Sequence, residues 1–217
     1  MRDCPSSTVV CPASRWYAEF MDPAAAPILH HHAVQFYGNE ESLFTTVAGF
    51  LGEGLVSREP AIIIATPEHC VAIERHLRGR LIDCDQARRK GDLVMLDADE
   101  LLGQFMIGDF PNPELFEETV GLIVQQMLDG RGRIVVRAYG EMVDVLWKQG
   151  LAESAIKLEI LWNKLALKYS FALLCGYAMG NFYKQSKQFD EVCAQHTHVT
   201  GPDNVISFDS RRIARPA

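Results

Sequence analysis

The stretch Arg137-Ala-Tyr139-Gly-Glu141 sets a guanidinium, a phenol and a carboxylate close together along the chain. In an extended segment Arg137 and Tyr139 share a face. Two chemistries fit them. One is a structural ion pair, with Glu141 or Glu159 as the partner that an inward-facing Arg137 requires. The other is a polar clamp for a small ligand. Glu159 borders the apolar set Leu151, Ala155, Leu158, Trp162 and Leu165, one turn before Asn163. It reads either as a solvated edge acid or as part of a site. Cys175-Gly-Tyr177 closes an apolar run; Cys175 reads as a small core hydrophobe, and Tyr177 as a hydroxyl directed at a cleft. Histidines gather in His30-His31-His32 and in Cys193-Ala-Gln-His196-Thr-His198. From these, His32, Cys193, His196 and His198 are candidate ligands for zinc or another transition metal. No C-x-x-C pair accompanies them, and histidine near a helix C-terminus is also what the helix dipole favours. The expectation is therefore no resident metal and no cofactor.

Other chemistries are excluded by what the chain lacks. No G-x-x-x-x-G-K-[ST] loop and no G-x-G-x-x-G fingerprint occurs; Gly130-Arg-Gly132 lacks the third glycine. Glu40 and Glu41 stand where a phosphate would approach a helix N-terminus and would repel it. Nucleotide hydrolysis and dinucleotide binding are thus not expected. Neither a nucleophile elbow nor a pair of catalytic carboxylates is visible, so the chain is read as a non-enzyme.

The elements that must position these groups follow from periodicity. Ala33–Tyr37, Ala61–Ala65, Asp92–Asp97, Arg133–Ala138 and Phe171–Tyr177 read as strands. Between them, Leu43, Phe44, Val47, Phe50 and Leu51 recur at helical spacing behind an Asn39 cap. Thr66-Pro67-Glu68 and Asn112-Pro113-Glu114 each carry a helix-start signal. A long helical region from about Glu141 to Lys168 breaks near Gly150, and a short helix runs from Lys187 to about Gln195. Strands alternating with helices predict an α/β fold of three layers, a mostly parallel sheet with helices on both faces. Ligands in such sheets bind beyond the strand carboxyl ends. That rule selects Tyr37, Thr66, Arg137, Tyr139, Glu141 and Tyr177 as ligand-binding candidates.

Composition narrows the class. The 217 residues are 48% hydrophobic and 23% charged, which suits a folded core. Residues 1–29 are read as a flexible leader, with Trp16, Tyr17 and Phe20 as docking side chains. Residues 30–199 are read as the domain and 200–217 as a polar tail in which Arg211, Arg212 and Arg215 cluster. A net charge of −7 disfavours nucleic acid and anionic membrane surfaces. No apolar run approaches the roughly 20 residues of a membrane span, and the first residues carry no apolar signal segment. The six cysteines read as reduced thiols of a cytoplasmic protein.

Seven motifs in order resemble the MEDS domain, the sensory domain of DcmR-type regulators that is also attached to bacterial histidine kinases. They are His32-Ala-Val-Gln-Phe-Tyr37, Phe50-Leu-Gly-Glu-Gly54-Leu55, Ala61-Ile-Ile-Ile-Ala-Thr66-Pro-Glu-His69, Arg137-Ala-Tyr-Gly-Glu141-Met142, Leu158-Glu159-Ile-Leu-Trp162-Asn163, Leu174-Cys175-Gly-Tyr177 and Cys193-Ala-Gln-His196. The resemblance spans about residues 30–200. It implies a RecA/KaiC-like core with a degenerate phosphate loop. It also implies signal transduction in which a simple hydrocarbon derivative is the ligand. The family's recurrent polar positions fall on His32, Tyr37, Glu141, Glu159, Cys175, Tyr177 and His196. No DNA-binding or kinase region is visible, so output is expected through a partner protein, such as a histidine kinase or regulator, or through self-association. Two alternatives stay open: a metal- or haem-dependent sensor using the His and Cys residues, and a module for protein–protein interaction alone.

Overall fold

A computed structural model of the chain describes residues 31–132, 134–181 and 186–201. The expected leader and most of the expected tail, with Trp16, Tyr17, Phe20 and the three arginines, lie outside the described residues. The core is a six-stranded sheet in the order β3-β2-β6-β7-β1-β8. Its strands are β1 (His31–Tyr37), β2 (Ala61–Ala65), β3 (Leu93–Asp97), β6 (Val136–Gly140), β7 (Phe171–Ala178) and β8 (His198–Thr200). Every neighbouring pair is parallel. A small antiparallel hairpin of β4 (Met106–Ile107) and β5 (Phe110–Pro111) stands apart.

Helices cover both faces, as expected for a three-layer α/β fold. On one side lie α1 (Glu40–Val56), α2 (Pro67–Gly79) and α3 (Cys84–Arg89). On the other lie α4 (Ala98–Phe105), α5 (Pro113–Phe116), α6 (Leu122–Leu128), α7 (Met142–Lys148), α8 (Ala152–Ala166) and α9 (Ser186–Ala194). A π-helical turn, Glu117–Gly121, joins α5 to α6. Burial on both faces explains why β2 reads as an unbroken apolar run: all five of its residues are buried. Along the strands, odd and even positions serve different cores. Ala33, Tyr37, Ile63 and Tyr139 pack against α1 and α2, while Val34, Phe36, Ile62, Cys175 and Tyr177 pack toward α7, α8 and α9. No helix among the described residues is long and apolar enough to cross a membrane.

The start signals act as expected at two helices. Asn39 accepts from the Glu41 backbone N–H at 2.8 Å, and Asn112 from that of Leu115 at 2.9 Å. The expected break in the long helical region falls between α7 and α8 at Gly150, whose φ of +82° suits glycine. One strand boundary is corrected, and short elements are added. The fourth strand begins at Val136 rather than Arg133 and continues to Gly140; Gly130 and Gly132, both at positive φ, keep the preceding segment in a turn. Arg133 itself lies outside the described residues. Helix α3 before β3, and α4 with the β4–β5 hairpin after it, are elements that periodicity does not announce. The segment after α9 supplies β8, paired with Ala33–Gln35 of β1, which the apolar pattern does not announce. Three residues are too few to carry a periodic signal. Hydrogen bonds between His32 and Thr197 dock this edge: Thr197 N to His32 O at 2.7 Å and His32 N to Thr197 Oγ1 at 3.1 Å.

Candidate functional site

Two buried polar groups occupy the sheet. The first lies at the strand carboxyl ends and centres on Glu141, 2% exposed, which directly follows β6. Its Oε1 accepts from the backbone N–H of Thr66 at 2.6 Å, and its Oε2 from the Tyr139 hydroxyl at 3.0 Å and from His69 Nδ1 at 2.7 Å. Beside it Asp144 accepts from the Tyr37 hydroxyl at 3.3 Å, from the Ala178 backbone N–H at 3.0 Å and from Lys148 at 2.8 Å. Glycine makes room for this arrangement: a Cβ on Gly176 would stand 2.6 Å from the Tyr139 hydroxyl. Burial and the Asp144 and Glu141 charges push the Tyr37 phenol up, and burial with the Glu141 charge raises that of Tyr139. Both therefore stay hydroxyl donors. His69 is shifted upward: burial opposes its charge, but Glu141 and then Glu40 outweigh it.

His69 also joins this group to the surface. Its Nε2 lies 3.7 Å from Glu40 Oε1, and the Phe44 ring meets it edge-on at 5.0 Å. Glu40 and Phe44, with Gly38, Asn39, Glu41 and Arg75, line an open crevice at the turn after β1.

The second group lies on the opposite face, under α8 and α9. The fully buried Glu159 accepts from the Tyr177 hydroxyl at 3.0 Å and faces the Cys175 thiol at 3.5 Å. His32 Nε2 stands 3.1 Å from one Glu159 oxygen, and His196 Nε2 stands 3.4 Å from the other. The two imidazoles are oriented from behind. His32 Nδ1 donates to Asn163 Oδ1 at 2.9 Å, while the Asn163 amide nitrogen donates to Gln195 O at 3.0 Å and so fixes which way the amide points. His196 Nδ1 donates to Val192 O at 2.7 Å. One ligand atom from each of His32, Glu159, Cys175 and His196 falls within 4.8 Å of the others, a set able to hold a metal ion. Burial opposes the Glu159 charge, but His196 and His32 outweigh it and hold the carboxyl well below the ordinary range. Burial and the neighbouring His196 lower His32, and burial with the Glu159 charge raises the Cys175 thiol.

Tyr37, Thr66, Tyr139 and Glu141 thus gather at the strand carboxyl ends, whereas His32, Glu159, Cys175 and Tyr177 gather on the α8 side. Arg137 joins neither. It lies at the amino end of β6, opposite Ala61 and Ala172, and its partner is not Glu141 or Glu159. Its Nε donates to Glu59 at 2.7 Å and its Nη1 to Phe50 O at 2.8 Å, over the Phe50 ring. The glycine of Phe50-Leu-Gly-Glu-Gly54 clears its stem, since a Cβ on Gly54 would come within 2.5 Å of Arg137 Cδ. Glu159 is no solvated edge acid, and Cys175 packs in the core yet beside three polar groups. Of the metal candidates, His32 and His196 meet; Cys193 and His198 stand outside the group, the latter stacked on His31. Sequence reasoning passed over His69, Asn163 and Asp144 as site residues. Asp144 had a signal, as the lone acid in the apolar run Met142-Val-Asp-Val-Leu-Trp147.

The family model described as MEDS, the methanogen/methylotroph DcmR sensory domain, matches residues 31–197. A search of curated proteins finds no match.

Proposed function

The chain belongs to the MEDS family of sensory domains, and from that premise we propose that it is a non-catalytic signalling module that reads a small molecule at the strand carboxyl ends. The observation that carries this reading is the path through His69, which pairs with the crevice residue Glu40 on one side and with buried Glu141 on the other. Two carboxylates and the Phe44 ring suit a small, partly apolar molecule that donates hydrogen bonds, such as a simple hydrocarbon derivative with a hydroxyl or amino group. A ligand that draws Glu40 away from His69 alters the hold of Glu141 on the first turn of α2. The outer face of α1 and α2 is then the surface that changes. A coupling on the order of 1–3 kcal/mol between ligand and that surface suffices for signalling. Output passes to a partner protein, such as a histidine kinase or regulator, or to a second copy of the chain; the acidic balance disfavours direct contact with nucleic acid.

The test is thermal stability of the full chain against a panel of small alcohols, amines, aldehydes and organic halides. The expected result is a saturable rise for one chemical class, weakened at least about fivefold in Glu40→Gln. No saturable shift across the panel, or the same shift in Glu40→Gln, would sink this reading.

A further inference from the structure

Beyond the ligand crevice, and independent of it, we infer that His32, Glu159, Cys175 and His196 form a binding site for one divalent transition-metal ion of the zinc class. Four donors of the right kinds converge: two imidazole nitrogens, one sulfur and one carboxylate oxygen, within 4.8 Å of one another. All four residues are buried, His32 and His196 at 3% exposed and Glu159 and Cys175 at 0%.

Three further observations point to a cation. First, both imidazoles are already set as ligands. Each donates its Nδ1–H to a fixed oxygen, Asn163 Oδ1 or Val192 O, and each turns Nε2 inward. Metal-bound histidines are supported in this way, the second nitrogen being held by a carbonyl, an amide or a carboxylate. Second, His196 Nε2 has no hydrogen-bond partner although it is sealed from solvent, and it faces a carboxylate oxygen at 3.4 Å. A sealed ring nitrogen left without a hydrogen bond beside a carboxylate is costly by itself, and a cation between the two satisfies both. Third, no lysine or arginine among the described residues pairs with Glu159. A divalent ion with one thiolate, one carboxylate and two neutral imidazoles carries no net charge, which is the state a dry site favours.

The donor set selects the class. Thiolate with imidazole suits zinc and its borderline neighbours, whereas magnesium and calcium require oxygen ligands. Four protein ligands with no exposed position match a structural or regulatory site rather than a catalytic one. The ligands come from β1, α8, β7 and the turn between α9 and β8. A bound ion therefore fastens the last helix and the edge strand to the middle of the sheet.

The experiment titrates Co2+ into full-length chain stripped by chelator, followed by displacement with Zn2+. We expect one equivalent bound, with a thiolate charge-transfer band and the intense visible bands of four-coordinate Co2+. Cys175→Ser removes the charge-transfer band, while a Cys4→Ser, Cys11→Ser, Cys193→Ser variant keeps it. Asn163→Ala, which frees the His32 ring, weakens binding about 10–100-fold. Zn2+ slows amide hydrogen exchange over residues 186–201. Should Cys175→Ser fail to fold, His196→Asn is titrated instead, with loss of the four-coordinate spectrum expected. Absence of tight binding by the parent chain, a band that survives Cys175→Ser, or a four-coordinate spectrum unchanged in His196→Asn would each overturn the site. None of these outcomes bears on the crevice, whose ligand is tested without metal.

Discussion

The carboxylate of Glu141 accepts the backbone N–H of Thr66 at 2.6 Å, so the residue that follows β6 caps the helix that follows β2. Thr66 occupies the capping position of α2, yet its own hydroxyl makes no capping hydrogen bond. The cap is thus tertiary, supplied by a residue 75 positions away. The same carboxylate holds His69 and Tyr139, so the start of α2 and the end of β6 are anchored to one group.

This division of labour separates two substitutions. Thr66→Ala is expected to cost under about 0.5 kcal/mol, less than the ~1 kcal/mol of an ordinary capping side chain. Glu141→Ala strips partners from Thr66 N, His69 and Tyr139 together and is expected to cost about 3–5 kcal/mol. Urea unfolding of both variants checks the contrast; equal losses would contradict it.

The His69–Glu141 pair makes stability depend on pH. The native pKa of His69 lies above its ordinary 6.5, because Glu141 and Glu40 outweigh burial and the opposing charge of Lys148. Its contribution is therefore complete below that ordinary value and is lost as pH rises through the native one. His69→Gln is expected to cost roughly 1.5–3 kcal/mol on the acid side and clearly less at alkaline pH. A loss that is flat with pH, or that grows with it, would be against this account.

Gly176 and Tyr139 are coupled by space. A methyl group at 176 would meet the Tyr139 hydroxyl at 2.6 Å and the ring carbons at 3.3 and 3.4 Å. Gly176→Ala is expected to cost roughly 1–3 kcal/mol. Part of that cost should return in the Tyr139→Phe background, because the closest atom is then gone. A double-mutant cycle measures the coupling, expected to exceed about 0.5 kcal/mol.

Gly54 and Arg137 are coupled in the same way at the other end of the sheet. The Arg137 stem fills the space where a side chain at 54 would stand, and its guanidinium is held by Glu59 and by Phe50 O. Gly54→Ala is expected to lower stability by roughly 1–3 kcal/mol without altering the ligand response, since Arg137 lies away from the strand carboxyl ends. Arg137→Ala is expected to cost more, about 3–5 kcal/mol, because it leaves Glu59 without its partner.

Local patterns made much of the fold legible. Continuous apolar runs announced strands covered on both faces, because a buried parallel strand has no solvent side to mark with polar residues. Apolar residues at helical spacing announced α1 and α8, and Asn39 and Asn112 announced where helices begin. The seven motifs identified the family, since each is a short local string. Short elements escaped: α3 spans six residues and β8 three, lengths at which periodicity carries no signal.

By itself, then, the sequence determined the three-layer α/β class, the order of its main strands and helices, the missing phosphate loop and the polar residues worth watching. Only the tertiary structure decided which of those residues meet. Strand order, which no single segment encodes, set β1 between β7 and β8, and so brought His32 beside Cys175, 143 residues away, and beside His196. It sent Arg137 to Glu59 rather than to Glu141, and it sealed Glu159 beside Cys175, Tyr177 and His196 where helical periodicity had set it at the edge of a stripe. The physical reason is that periodicity reports how a segment faces the core, whereas a charge-bearing group finds its partner through contacts between segments, and those exist only once the sheet has assembled.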